Sequence, residues 1–336
     1  MNIAGTGDHL SLAGKALHLL GSLKLTLMIL VALGAGIVVA YRNETKTIWP
    51  LVLPLVLCAL NLLAAIASNA VFRRQLPLLM FHLALLSIIL LVATGRMTYL
   101  KGQLELVDGQ EFDGVLTKEE SGPWHRNQLA QVHFLNAGFA IDYAPGVRRG
   151  ATQNKVRYRD ANGLPQEAII GDNTPMVLNG YRFYTSFNKG FAPVFLWYPG
   201  ADTAVAPLLG TVNLPAYPIH EYRQALDWVL PGTQIEAWTM LQFDEVIIDP
   251  EKPSTFRLPE KHKLVMRIGK QRWELTPGQS ITLPEGRLQY QGLRSWMGYT
   301  VFSDWTISWL LSASLLAVAS LGWHFWRKFA ARPWNE

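Results

Sequence analysis

The stretch LPLLMFHLALLSIILLVATG, residues 76–95, decides the fold of this chain. It carries no Asp, Glu, Lys or Arg, and a single histidine, His82, interrupts the apolar run. Spanning the ~30 Å hydrocarbon core of a bilayer takes about 20 mostly apolar residues. A segment in lipid must satisfy its backbone hydrogen bonds internally, so this stretch predicts a transmembrane helix.

Three other apolar runs fit the same template, at residues 25–41, 48–67 and 305–326. The sequence therefore predicts four transmembrane helices, three within residues 25–97 and one at 304–326. A polar domain at 98–303 separates the third helix from the fourth. The polar residues of this domain lower the average over the whole chain, so the mean hydropathy of the 336 residues is only +0.14.

Lysine and arginine residues in the short flanks predict the orientation. The flanks before the first span, between the second and third spans and after the fourth span hold Lys15, Lys24, Arg73, Arg74, Arg327, Lys328 and Arg332. The flanks on the opposite side of the membrane hold Arg42, Lys46, Arg96 and Lys101. This bias predicts a cytoplasmic N-terminus (1–24), a cytoplasmic tail (327–336) and an exported domain at 98–303. The expected location is the bacterial inner membrane, with the large domain on the periplasmic side. Trp305, Trp309, Trp323 and Trp326 would anchor both ends of the last helix at the interfaces.

The N-terminal residues 9–23 place leucines near helical spacing with two lysines among them. This pattern fits a short helix lying in the cytoplasmic interface. A frayed turn continuous with the first span fits equally well.

The exported domain is predicted to be β-rich. Residues 131–143, 176–188, 234–248, 263–274 and 287–293 alternate apolar and polar side chains over much of their length. Turn dipeptides bound them, at Pro145-Gly146, Asn162-Gly163, Asn179-Gly180, Pro231-Gly232 and Pro277-Gly278. The pattern predicts a sandwich or an open barrel-like sheet. A short helix is expected at 219–230.

The chemistry-bearing residues of this domain are sparse. It contains no cysteine, which excludes a disulfide within the domain, a CxxC redox pair and a covalent c-type haem site. His125, His133, His220 and His262 show no metal-ligand spacing, and His262 is expected in a solvated loop. The domain is thus expected to have no catalytic centre. Five basic residues lie close together in the sequence: Arg148, Arg149, Lys155, Arg157 and Arg159. We interpret them as a solvated strand face or as a surface that binds acidic groups. Nucleic acid is not an expected partner.

His82 is the main functional candidate, because an ionisable side chain within a span is costly and is usually functional or paired. Neutral imidazole is a common axial ligand to haem iron. The alternative is a purely structural role, in which His82 is a core histidine hydrogen-bonded to Asn61, Ser87 or a backbone carbonyl. His324 is a weaker candidate: it lies ~5 Å from the cytoplasmic end of its helix, and His82 lies ~9 Å from the same side.

The chain resembles the ResB family of cytochrome c biogenesis proteins. The resemblance is carried by three spans, a large domain and a final span, and by these segments: Gly21-Ser22-Leu23-Lys24-Leu25, the third span through His82 into Gly95-Arg96 and Tyr99-Leu100, Leu106-Val107-Asp108-Gly109-Gln110, Gly180-Tyr181-Arg182-Phe183-Tyr184-Thr185-Ser186-Phe187, and the approach to the last span, residues 293–305.

This resemblance implies a part in the system II route, in which a ResB-type protein and a CcsA-type partner carry haem across the membrane for attachment to apocytochrome c. It implies that His82 is an axial ligand to the iron of a haem b shared with the partner. The chain would be an accessory subunit of a holocytochrome c synthase without activity alone. Its partners would be the CcsA-type protein, apocytochrome c, membrane lipid and, as a further class, thiol-reducing proteins.

Two other functions remain open from the sequence. One is a membrane subunit of a quinol-linked redox complex, in which His82 and His324 would both bind a b-type haem. The other is a haem-free assembly or sensor protein whose β-domain binds a protein partner.

Overall fold

The computed structural model describes residues 12–42, 47–160, 162–200 and 206–330. These residues form two compact units. A helical unit contains residues of Met1–Leu100, Glu120–Arg126 and Ser303–Glu336, and a β-rich unit contains Lys101–Glu119 and Asn127–Phe302.

The helical unit has six helices in its described residues: α1 (Leu12–Leu20), α2 (Leu23–Arg42), α3 (Trp49–Ser68), α4 (Ala70–Arg74), α5 (Leu76–Thr98) and α6 (Thr306–Ala330). Four of them, α2, α3, α5 and α6, are long and apolar enough to cross a membrane. The prediction of three N-terminal apolar helices and one C-terminal apolar helix is therefore confirmed. The helices extend a few residues beyond several predicted ends, and α6 continues to Ala330.

Small residues let these helices approach closely, as is usual where apolar surface alone gives no driving force in lipid. A side chain at Gly36 of α2 would collide with the carbonyl of Pro50 in α3. A Cβ atom at Gly95 of α5 would lie 2.8 Å from Oγ1 of Thr306, the first residue of α6. The C-terminal end of α5 therefore meets the N-terminal end of α6, and the two helices run antiparallel.

The N-terminal segment folds as a separate helix. α1 ends at Leu20 and α2 starts at Leu23, so the frayed turn continuous with the first span is not formed. Asn61 of α3 fixes this corner: its Nδ2 donates to the carbonyl of Leu20 (2.5 Å), and its Oδ1 accepts from Oγ1 of Thr26 (2.7 Å). Residues 9–11 of the predicted helix lie outside the described residues, and the interfacial position of α1 remains a prediction.

The β-rich unit and its borders contain a short 3₁₀ turn at Leu129–Gln131 and strands that form four sheets. The strands are β1 (Leu100–Val107), β2 (Glu111–Phe112), β3 (Lys118–Ser121), β4 (Phe134–Ala140), β5 (Asp142–Ala144), β6 (Arg148–Arg149), β7 (Gln153–Arg159), β8 (Pro165–Ile170), β9 (Met176–Leu178), β10 (Tyr181–Pro199), β11 (Leu208–Thr211), β12 (Ala225–Val229), β13 (Glu236–Gln242), β14 (Ser254–Thr255), β15 (Lys263–Ile268), β16 (Gln271–Leu275), β17 (Ser280–Leu283) and β18 (Gly286–Ser303).

Two very long strands, β10 and β18, form the centre of the largest sheet, whose order is β11-β10-β18-β1-β3 with β9 beside β10 and β17 beside β18. The other sheets are β12-β13-β15-β16, β2-β4-β7-β8 and β14-β5-β6. Aromatic rings fill the core between them: the Phe134 ring lies 5.1 Å from Phe183 and 5.8 Å from Tyr299, centroid to centroid. Edge-to-face aromatic pairs of this kind add to the stabilisation that burial gives.

The β-rich prediction is confirmed, and its turns fall where glycine was expected. Gly146, Gly163, Gly180, Gly232 and Gly278 all adopt φ values between 69° and 90°, the left-handed region that favours glycine. The predicted short helix at 219–230 is wrong. Ala225–Val229 instead form β12, because they pair with β13 from Ala225↔Met240 to Val229↔Glu236, and the Trp228 ring stacks on Phe195 at 5.0 Å. Long-range pairing here overrides local helix propensity.

A partly buried ion pair contacts the first part of β10. The guanidinium of Arg149 donates two parallel hydrogen bonds of 3.0 Å to the carboxylate of Asp172, which also accepts from the hydroxyls of Thr152 (3.0 Å) and Thr185 (2.8 Å). Burial alone would raise the pKa of Asp172, but the hydrogen bonds from Arg149 and Thr185 hold it below its ordinary value. Arg149 is thus not part of a solvated basic face, whereas Lys155, Arg157 and Arg159 alternate on the exposed side of β7.

Lys189 is a buried lysine in the same region. It is 2% exposed, and its Nζ lies 5.5 Å from the centroid of the Tyr143 ring. Burial, together with the positive charge of Arg149, lowers the pKa of Lys189 to about 8. The protonated side chain is therefore a cost to the folded state.

Replacing Lys189 by methionine should stabilise the β-rich unit at pH 7. The gain should be up to about 3 kcal/mol, since a pKa lowered from 10.5 to about 8 corresponds to about 1.4 kcal/mol per unit. Between pH 8 and 10 the unfolded chain holds the Lys189 proton and the folded chain does not, so wild-type stability should rise with pH in that window. Denaturant unfolding of the purified chain measures both effects.

The exposed Lys155→Met is the matched control and should change stability by less than about 0.5 kcal/mol. Equal effects of the two substitutions, or a wild-type stability that falls between pH 8 and 10, would contradict the assignment.

Candidate functional site

The His82 site is built by the break between α3 and α5. α3 ends at Ser68, and Oδ1 of Asn69 accepts from the backbone N–H of Val71 (3.0 Å), which starts the short helix α4. α5 then begins at Leu76 with Pro77 in its first turn, where a proline costs no hydrogen bond. The Phe72 ring of α4 lies 4.6 Å from the His82 ring, and Phe81 lies 5.2 Å from it.

One hydrogen bond in the described part of the chain orients the His82 ring. Nδ1 lies 2.8 Å from the carbonyl oxygen of Leu78, one helical turn earlier. A carbonyl oxygen can only accept, so Nδ1 donates, and Nε2 is the nitrogen that offers a lone pair in the neutral form of the ring. Histidines that bind metals through one nitrogen commonly donate from the other to a backbone carbonyl, which fixes the tautomer and the ring orientation.

The structure distinguishes between the three hydrogen-bond partners considered for His82. Asn61 is occupied by Leu20 and Thr26 at the α1–α2 corner, and the hydroxyl of Ser87 donates to the carbonyl of Leu83 (2.9 Å). The backbone carbonyl is therefore the partner. It satisfies only Nδ1, and the remaining imidazole nitrogen, Nε2, is of the ligand type that haem iron accepts.

His324 lies in the last turns of α6, and its ring contacts Phe325 at 5.6 Å. Its depth can be compared with that of His82 from the contact between Gly95 and Thr306. At 1.5 Å per residue, His82 lies about 20 Å from this contact along α5, and His324 lies about 27 Å from it along α6. The Cα positions of the two histidines therefore differ by about 7 Å in level along these helices.

The opposite end of α5 is covered by residues 120–126. The backbone N–H of Trp124 donates to the carbonyl of Met97 (2.8 Å), and the Tyr99 hydroxyl donates to the Glu120 carboxylate. Burial and this hydrogen bond raise the pKa of Tyr99 to about 12. Nε1 of Trp305 donates to Oγ1 of Thr98 (3.0 Å), so two exposed tryptophans, Trp124 and Trp305, lie at this end of the helical unit.

Sequence reasoning did not identify Phe72, Leu78 or Trp124. The i,i+4 spacing of Leu78 and His82 was visible, because side chains one helical turn apart share a face. The contacts of Phe72 and Trp124 depend on chain reversals that local patterns do not encode. Within the described residues, no group of three or more His, Cys, Asp or Glu side chains could hold a metal ion.

Comparison with known proteins adds an independent observation. A model described as the ResB-like family matches residues 65–194. This part of the chain is ResB-like. No curated protein matches the sequence.

The ResB-like segment covers less than half of the chain, from the end of α3 to the middle of β10. It includes α4, α5 and therefore His82, and it excludes α6 and His324. The family resemblance drawn from the sequence is confirmed over residues 65–194.

Proposed function

We propose that this protein is a ResB-type subunit of the system II cytochrome c maturation machinery. In this role it helps to carry haem across the inner membrane and to present it for attachment to apocytochrome c. The subunit has no catalytic activity alone and works with a CcsA-type membrane partner. Thiol-reducing proteins that keep the apocytochrome cysteines reduced are a further partner class.

The observation that carries the proposal is the orientation of His82. Its Nδ1–H is held by the carbonyl of Leu78, so Nε2 is free to bind iron from a span that is otherwise apolar. Haem b would supply an iron centre that accepts an imidazole nitrogen. His82 would hold the iron through Nε2, while Phe72 and Phe81 would restrict the rotation of the imidazole.

The second axial ligand comes from the partner in this proposal. The family match supports this choice over a haem bound by this chain alone, because the matched residues 65–194 include His82 and exclude His324. The quinol-linked redox subunit would instead need both histidines on one haem. Membrane lipid surrounds the remaining faces of α2, α3, α5 and α6.

A maturation assay tests the proposed function. The chain and a CcsA-type partner are expressed in a bacterium that lacks its own cytochrome c maturation proteins, together with a reporter apocytochrome. The expected result is a reporter that retains haem after denaturing electrophoresis only when both membrane proteins are present. Correctly inserted proteins that yield no covalent haem would contradict the proposal, and equal yield without this chain would assign the activity to the partner alone.

The proposed topology gives a separate expectation. Both termini should be cytoplasmic and the β-rich domain periplasmic, because seven Lys and Arg residues flank one side and four flank the other. Reporter fusions after Gly200 and at the C-terminus should therefore show opposite sidedness. The four-span arrangement would be contradicted by two fusions that report the same side.

A further inference from the structure

A segment between the third and fourth spans, residues 120–126, caps the C-terminal end of α5 within the helical unit. The backbone N–H groups of Gly122 and Trp124 donate to the carbonyls of Tyr99 (2.9 Å) and Met97 (2.8 Å). Nδ1 of His125 lies 2.8 Å from the carbonyl oxygen of Thr98. The last carbonyls of a helix have no partner inside it, so this capping segment satisfies groups that would otherwise need water.

The capping segment lies very close to the helix end. A Cβ atom at Gly122 would collide with the carbonyl group of Met97, so a residue with a side chain does not fit there without a shift of the backbone. Gly122 is buried, whereas Pro123 and Trp124 are exposed. The segment is therefore fixed at the level of the last turn of α5, while the side chains that follow Gly122 stay accessible.

The level of this helix end in a bilayer follows from the length of α5. The helix begins at Leu76, just after the basic pair Arg73 and Arg74, which suits one membrane interface. At 1.5 Å per residue, Met97 lies about 31 Å from Leu76 along the helix axis. The hydrocarbon core of a bilayer is ~30 Å thick. Met97, and Trp124 attached to it, therefore lie at the level of the opposite interface.

Three exposed tryptophans occur near this level. Trp124 is 63% exposed, Trp305 is 55% exposed, and Trp309, one turn further along the chain in α6, is 62% exposed. Nε1 of Trp305 donates to Oγ1 of Thr98, so Trp305 and Trp124 are held by adjacent residues of α5. An indole has an apolar body and a polar N–H, and tryptophan is enriched where acyl chains meet headgroups.

The charge around Trp124 is nearly balanced. The neighbouring charged residues are two carboxylates and three cations: Glu119, Glu120, Arg96, Lys118 and Arg126. Attraction to anionic lipid is typical of clusters of about 4–8 basic residues, and this group does not form one. Contact with a bilayer at this point would therefore depend on burial of the indole rather than on headgroup charge.

We infer that the capping segment is a membrane-surface anchor, in which Trp124 enters the boundary between headgroups and acyl chains beside Trp305. The ligand of this surface is the lipid bilayer itself, with zwitterionic or anionic headgroups alike. The anchor adds to the four spans an attachment from the polar chain between the third and the fourth. It goes beyond the proposed function and depends on neither haem nor His82.

Spin-label accessibility of the full chain in lipid vesicles tests the inference. Cys58 is the only cysteine, so Cys58→Ala gives a background in which one added cysteine carries the nitroxide. Oxygen concentrates in lipid and a neutral nickel chelate in water, so the ratio of their collision rates with the label reports depth. The ratio for Trp124→Cys should be close to that for Trp309→Cys in α6. It should exceed that for Tyr222→Cys, a position 98% exposed in the β-rich unit.

A second label keeps the indole in place. In Pro123→Cys the ratio should fall when Trp124→Ser is added, because the segment then loses its apolar contact with lipid. Circular dichroism checks that each labelled chain is folded. All ratios should be the same in vesicles with and without anionic lipid.

Three results would overturn the inference. One is a ratio for Trp124→Cys equal to that for Tyr222→Cys, or one that rises only when anionic lipid is present. Another is a low collision rate with both reagents, which would indicate a protein contact at this surface. The third is a ratio for Pro123→Cys that Trp124→Ser leaves unchanged.

Discussion

Replacing Asp172 by alanine should destabilise the β-rich unit by about 1–3 kcal/mol, the cost of leaving the donors of a partly buried carboxylate unsatisfied. The substitution removes four hydrogen bonds that converge on one carboxylate, from Arg149, Thr152 and Thr185. It also removes a negative charge that favours the protonated form of the buried Lys189. Denaturant unfolding of the purified chain, followed by near-ultraviolet circular dichroism, measures the loss.

The matched control is Glu167→Ala. Arg157 and Glu167 form an ion pair of 2.8 Å, but both side chains are about two-thirds exposed. Such a pair contributes about 0–1 kcal/mol, because water screens it. An equal loss of stability in the two alanine variants would contradict a stabilising role of the partly buried network.

The Asp172 pair also predicts acid sensitivity. The pKa of Asp172 is lower in the folded state than its ordinary value of 3.8. Its contribution to stability is therefore fully present above that ordinary value and is lost as pH falls through the folded pKa. Wild-type stability should decrease on acidification below about pH 4, and Asp172→Ala should show a smaller decrease over the same range.

The sequence correctly predicted those helices and turns that are determined by residues adjacent in the chain. The four apolar helices follow from uncharged runs of membrane-spanning length, and the turns at Gly146 and Gly180 follow from dipeptides that favour left-handed backbone. The strand prediction at 287–293 captured only the first part of β18, which runs to Ser303. Its length is set by pairing with β10 along Arg182↔Phe302 to Pro199↔Gly286, which no local pattern specifies.

The errors have a common physical origin in tertiary contacts. The segment expected as a helix at 219–230 became β12 because β13 supplies hydrogen bonds to it. His262 was expected in a solvated loop, but its Nε2 lies 2.8 Å from the hydroxyl of the buried Tyr290, and burial lowers the pKa of His262. At the candidate site, residue type and position identified His82, whereas the tautomer required the structure.

Replacing His82 by alanine should remove haem from the complex of this chain with a CcsA-type partner. Alanine is apolar and a strong helix former, so α5 should still insert and pack. The carbonyl of Leu78 loses only a side-chain donor at the surface of its own helix. Haem content per complex, measured by pyridine haemochrome absorbance, should fall at least about tenfold, since loss of a metal ligand removes more than the 10–100-fold typical of an outer-shell partner.

His324→Ala is the matched control for this experiment. It removes an imidazole from the other candidate helix, at a level about 7 Å from that of His82. Haem content should change little, because the second axial ligand comes from the partner. Equal haem loss in both variants would indicate a haem held between the two histidines of this chain and would favour the quinol-linked alternative.

Ligation of haem iron by His82 is tested by the visible spectrum of the His82→Ala complex with and without added imidazole. The Soret band of wild type should be lost or shifted in the variant, and free imidazole, entering the space left by the side chain, should restore the wild-type position and intensity. A His82→Ala complex that retains bound haem with an unchanged spectrum, in the absence of imidazole, would contradict axial ligation by His82.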